Sequence, residues 1–217
     1  MTRKALLIIV AGLVLSAGAG SARADLTFNL VQVFSGTAPA GTLTATFADT
    51  GSGEVTLTMT NSLVGTEFVD GGGRGWFFNY DPGLDISMLG YSYVSGDVAS
   101  NVKISTDAYH ADGDGYYDIA FGWPTGPPSS RFVGGETSVY KLTSTEAGFS
   151  SASFDFLSAP SGIGAFPVAA HIQGIGPTGA DSGWITVPAP GAVLLGAIGV
   201  GMVAWIKRRF SSAPVPE

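Results

Sequence analysis

The chain of 217 residues contains no cysteine and only two histidines, His110 and His171. The lack of cysteine excludes disulfide staples, a thiol nucleophile and thiolate metal sites. No His pair has zinc spacing and no Gly-x-Ser-x-Gly is present, so no hydrolase constellation is visible. His110 lies in a polar loop, and His171 lies in the apolar stretch "VAAHIQGI", where it reads as a hydrogen-bonded core residue. The "GGGRG" at 71–75 lacks the Lys and Ser/Thr of a phosphate loop and reads as a flexible turn. Positive charge is scarce as well. From Asp25 to Val187 there are four cations, Arg74, Lys103, Arg131 and Lys141, against 16 acids, a net charge of −12. Such a surface repels phosphate backbones and excludes nucleic acid as a partner; it attracts divalent cations.

No helical period persists inside this body, and what is present is alternation at period two. In "TLTATFA", Leu43, Ala45 and Phe47 share one face and Thr42, Thr44 and Thr46 the other. "EVTLTMTN" repeats the pattern, and "DTGSG" at 49–53 connects the two as a hairpin. "LTFNLVQVF" alternates at Leu26, Phe28 and Leu30, then changes phase to Val31 and Val33, which predicts a bulge or a crossing between sheets. Further strands are expected at 75–80, 89–94, 102–105, 116–123, 138–143, 152–157, 168–173 and 184–187, separated by Gly, Pro, Ser and Asp. Many short strands of this kind predict an all-β, antiparallel sandwich or jelly roll, with a closed barrel as the alternative. The body spans 25–186, long enough for one core.

Both ends carry address signals. Arg3 and Lys4 precede an apolar run from Ala5 to Leu15, and small residues lead to Ala22-Arg23-Ala24. This reads as a secretory signal over 1–24, cut by signal peptidase after Ala24 and directing the body out through the inner membrane, with an uncleaved N-terminal anchor as the competing reading. At the other end, Gly191 to Ile206 is uncharged and stops at Lys207, Arg208 and Arg209, followed by the short polar tail 211–217. As a helix, 191–206 is about 24 Å long, short of the roughly 30 Å hydrocarbon core, and Trp205 and the cations can make up the difference at the interface. The cations fit the cytoplasmic side if the body is outside. A buried C-terminal helix is the competing reading. Ahead of the run, Val187-Pro188-Ala189-Pro190-Gly191 is an extended, exposed peptide, because its prolines remove donors and fix φ.

The tail over 187–210 resembles the PEP-CTERM sorting domain of Gram-negative bacteria, in which a Pro-x-Pro motif precedes a short transmembrane helix and an Arg-rich end. Ala189 stands where that motif usually has Glu, and "SSAPVPE" extends past the basic cluster. The resemblance implies an exosortase-type processing enzyme that recognises Pro188, Ala189, Pro190 and Gly191. It also implies a single-pass membrane precursor and release to the cell surface or an exopolysaccharide matrix. The stretches "LTATFADTGSGEVTLTMTNSL", "EFVDGGGRGWFFNYDPGLD", "RFVGGETSVYKLT" and "VAAHIQGIG" are similar to exported members of that class with no assigned activity.

Two features bear on ligands. Asp112, Asp114 and Asp118 in "ADGDGYYDIAF" resemble a D-x-D-G-x-x-D calcium loop, in which alternate carboxylates converge on one Ca2+. The same Asp-Gly pairs are also preferred hairpin turns. Aromatics crowd the stretch from Trp76 to Trp123, among them Phe77, Phe78, Tyr80, Tyr91, Tyr93, Tyr116, Tyr117 and Phe121. They stack sugar rings if exposed and form core or cross-strand pairs if buried. The expectation is an exported, non-enzymatic surface or matrix protein. A polysaccharide-binding or polysaccharide-active protein on the same scaffold is the alternative, since the paired acids of a glycosidase need not be neighbours along the chain.

Overall fold

The computed structural model describes residues 25–71, 73–159 and 164–188. The strands in chain order are β1 (Leu26–Leu30), β2 (Gln32–Gly36), β3 (Thr42–Gly51), β4 (Glu54–Ser62), β5 (Phe68–Val69), β6 (Trp76–Phe78) and β7 (Gly90–Gly96). They continue with β8 (Asn101–His110), β9 (Tyr116–Gly122), β10 (Phe132–Val133), β11 (Thr137–Thr143), β12 (Val168–Ile175) and β13 (Asp181–Thr186). Helix among the described residues is limited to the 3-10 turns Ile86–Met88, Pro128–Ser130 and Ser151–Phe154. The chain is therefore all-β, with antiparallel pairing throughout. The expected signal segment 1–24, the expected span 191–206 and the tail beyond it lie outside the described residues. Among those described, no helix is long and apolar enough to cross a membrane.

One sheet has the order β1-β3-β4-β11-β7. In the other, β12 is central. Ala170 pairs with Ile185 on one side and Trp76 on the other, and Ile172 pairs with Gly183 and Val69. β13 and then β2 therefore lie on one edge of β12. β5 and β6 share the lane on its opposite edge, followed from β6 by β9 and β8. The expected phase change after Leu30 is the place where the chain crosses: β1 belongs to the first sheet and β2 to the second. Val31 stands between them and donates its N–H to the Thr186 carbonyl at 3.0 Å.

The inward residues of both sheets form one core. Leu43, Ala45 and Phe47 of β3 and Val55, Leu57 and Met59 of β4 meet Trp76, Phe78, Ile119, Phe121, Val168 and Ile172. Phe47 is at its centre, with ring centroids 4.3 Å from Phe154 and 5.2 Å from Phe78. Each such side chain contributes about 1.5–3 kcal/mol by leaving water. A second apolar cluster of Phe77, Ala111, Tyr117, Ala120, Ala169 and Trp184 lies on the other face of the second sheet.

The strand expected at 152–157 is absent. The 3-10 turn Ser151–Phe154 stands there because Ser150 and Ser153 form a reciprocal capping box. Asp49 fixes the turn from β3, accepting the Ser151 N–H at 2.9 Å and its hydroxyl at 3.1 Å.

Candidate functional site

The acidic stretch folds as a hairpin connection between β8 and β9. Asp114 N–H donates to the Ala111 carbonyl at 3.1 Å, and Gly113 takes φ +89°, which its missing side chain permits. Asp112 is exposed at the tip. Asp114 is fully buried, and its Oδ2 accepts the Tyr117 hydroxyl at 2.5 Å and the Ser158 hydroxyl at 3.0 Å. Asp118 is buried on β9, where Oδ1 accepts the Asp107 N–H at 2.8 Å and Oδ2 accepts the Tyr80 N–H at 2.9 Å. Asp114 and Asp118 thus hold hydrogen bonds within the body, while Asp112 stands at the exposed tip. Among the described residues no group of three or more His, Cys, Asp or Glu side chains is placed to hold a metal ion.

The electrostatics follow from burial. The Tyr117 phenol is pushed far up by desolvation and then by the Asp114 carboxylate, so it stays a protonated donor. The Asp118 carboxyl is raised by burial, against the opposing pull of its two N–H bonds. Asp118 also explains an irregularity that alternation alone does not show. The β8–β9 register shifts between Ile104 and Tyr109, and Asp107 there takes φ +46°, a left-handed conformation uncommon outside glycine. Beyond the shift the faces exchange: Tyr117 joins the outer cluster while Ile119 and Phe121 point into the core.

A second polar device centres on His171, the hydrogen-bonded core residue expected from the sequence, and adds a partner that the sequence did not name. His171 Nδ1 lies 2.7 Å from Asp70 Oδ2, both groups buried, with the imidazole packed on Trp184 at 4.8 Å. Asp70 Oδ1 accepts the Gly71 N–H at 2.6 Å, and the backbones join through Asp70 N–H to His171 O at 2.9 Å and His171 N–H to Gly75 O at 2.9 Å. The pair bridges the gap in the lane shared by β5, which ends at Val69, and β6, which starts at Trp76. Glycine is needed at its edge: a Cβ on Gly71 would stand 1.8 Å from the Trp123 carbonyl oxygen. The only hint in the sequence was the placement of His171 in an apolar strand.

Most of the aromatic group is core. Trp76, Phe77, Phe78, Tyr80, Tyr117, Phe121 and Trp123 are buried, whereas Tyr91, Tyr93 and Tyr116 are exposed. Tyr91 and Tyr93 stand on the edge strand β7 against the buried Tyr140, with centroids at 6.3 Å and 5.9 Å.

Two cavities flank Leu157. One, of about 380 Å³, has Asp81, Asp107 and Asp118 beside Leu84, Ile86 and Phe156. Its carboxylates offer acceptors next to an apolar wall, but Asp118 is already bonded to the backbone and Asp81 accepts the Gly83 N–H at 2.7 Å. The other, of about 510 Å³, is an apolar groove bounded by Leu26, Phe28, Phe166, Val187 and Pro188. Both ends of the described body therefore meet at one groove. Pro188, the first residue of the expected sorting motif, is exposed in its wall. Ala189, Pro190 and Gly191 of that expected motif, the basic cluster Lys207, Arg208 and Arg209, and Ala22 and Ala24 of the expected cleavage site lie outside the described residues. A scan against protein-family models found no match to this chain, and neither did searches of curated proteins and of solved structures.

Proposed function

We propose that this chain is an exported, non-enzymatic cell-surface or extracellular-matrix protein, a β-sandwich body delivered by a C-terminal sorting signal. The observation that carries this reading is the groove shared by Leu26 and Pro188. It brings Leu26, just past the proposed signal segment, and Pro188, where the proposed sorting motif starts, to one end of the body. A precursor held by its tail then presents the motif next to the bilayer, where an integral-membrane processing enzyme can reach it. The remaining chemistry supports a structural role. The carboxylates of Asp49, Asp70, Asp114 and Asp118 accept hydrogen bonds that hold turns and strands together. Fractionation of cells expressing the full chain tests this reading: the body should appear at the surface or in the matrix, not in the cytoplasm.

The cavity beside Asp81 and Asp107 supports a second reading, polysaccharide binding, because carboxylate acceptors beside an apolar wall suit a hydroxyl-rich ring. A glycan array combined with reducing-sugar release separates the two. Binding without turnover favours a module that holds glycan, and turnover favours an enzyme.

A further inference from the structure

The apolar groove carries one strongly exposed apolar side chain in its wall. Leu157, in its wall, is 63% exposed, the highest value among the large apolar side chains described. Val31, bonded to Thr186 two residues before Pro188, is 53% exposed. Asp155 is the one charged residue of the groove wall among the described residues. An apolar groove open to solvent can take an apolar partner. The chain beyond it identifies the occupant.

Two residues, and so three Cα–Cα steps, separate Pro188 from Gly191, where the uncharged run begins, a reach of at most about 11 Å when fully extended. The headgroup layer on each side of the hydrocarbon is about 5–8 Å deep. If 191–206 is inserted, the groove wall cannot stand more than a few ångströms above the headgroups. The run is also shorter than the hydrocarbon core, and a short span draws its flanking residues toward the bilayer. We infer that the groove bounded by Leu26, Phe28, Leu157, Phe166 and Val187 is a lipid-docking surface that seats the body on the outer leaflet while the tail is inserted. The inference rests on the sorting reading above, which supplies the inserted tail. Seating fixes the height of Pro188-Ala189-Pro190 relative to the membrane and limits the positions a processing enzyme must search. Once the tail is cut, the groove alone is a small contact and the body leaves the surface.

The test uses the absence of cysteine. Full-length chain carrying a single cysteine at Leu157 or at Thr27 is labelled with a polarity-sensitive fluorophore and reconstituted in zwitterionic vesicles containing spin-labelled quencher lipid. Both positions are exposed, so labelling leaves the core intact. The control label is at exposed Thr178, beyond the far end of β13, a strand about 20 Å long. With the tail resistant to alkaline extraction, the labels at 157 and 27 should blue-shift and lose most of their emission, and the label at 178 should lose none. Adding Leu157→Asp to the Thr27 label should restore its emission. An inserted tail with all three labels unquenched overturns the docking surface and leaves the sorting reading intact. A tail that alkaline extraction removes overturns the sorting reading itself, and the docking surface with it.

Discussion

Tyr117 donates its hydroxyl to Asp114 at 2.5 Å inside the protein, three residues away along a hairpin. A carboxylate engaged in this way, with Ser158 as a further donor, is the hub of a turn. Calcium at millimolar concentration should therefore raise the melting temperature no more than magnesium at equal ionic strength, since both act by screening the −12 body. Tyr117→Phe removes the donor and should cost about 1–3 kcal/mol, read as a lower denaturation midpoint with unchanged m-value. A calcium-specific rise in melting temperature that Asp114→Ala abolishes would contradict this assignment.

Asp118 joins β9 to both its neighbours through the Asp107 and Tyr80 N–H groups. Asp118→Ala strands two backbone donors and should cost about 2–5 kcal/mol. Its acidity also has a sign that can be measured. Burial lifts the folded carboxyl above its ordinary 3.8, and burial with the neighbouring Glu136 does the same for Asp97. The folded state then holds these protons more tightly than the unfolded state does. Their contribution is present at low pH and is lost as pH rises through the raised values. Asp97→Asn should flatten that fall in denaturation midpoints measured across the acid range. An unchanged slope would show that Asp97 does not titrate differently on folding.

The Asp70–His171 pair is the polar contact most exposed to single-residue damage. Removing one partner leaves the other buried and unpaired, so Asp70→Ala should cost about 3–5 kcal/mol. Replacing both with a shape-matched apolar pair should cost much less than the sum of the single changes. Amide exchange should show the 71–75 segment opening first in Asp70→Ala, because the pair bridges the break between β5 and β6.

Local alternation made much of this fold readable. The Thr-outside strands β3 and β4, their hairpin and the phase change at Leu30 and Val31 all follow from which side chain seeks the core. What escaped detection depends on partners far along the chain. The turn at Ser151–Phe154 is held by Asp49, about a hundred residues earlier. Asp70 and His171 are separated by 101 positions. The acidic stretch shows the same limit from the other side: Asp112, Asp114 and Asp118 are close in sequence, yet Ser158, Asp107 and Tyr80 decide where two of those carboxylates point. The aromatic cluster sorted into core and surface by its two sheet faces, which the phase shift at Asp107 partly reverses.

The basic cluster offers a prediction about topology. On the proposed sorting reading, Lys207, Arg208 and Arg209 hold an inserted tail on the cytoplasmic side by the positive-inside rule. Replacing all three with Gln should send unprocessed precursor into the soluble exported fraction, as read by fractionation and immunoblot. Unchanged localisation and processing would show that retention depends on something other than these charges.

The intact mass of the mature protein recovered from cells tests the sorting signal most directly. The expected species begins at Asp25 and lacks the segment from about Gly191 onward, as signal cleavage after Ala24 and processing at Pro188-Ala189-Pro190 require. A mature species that still carries Lys207 to Glu217 would contradict it and leave the C-terminal run as a permanent anchor.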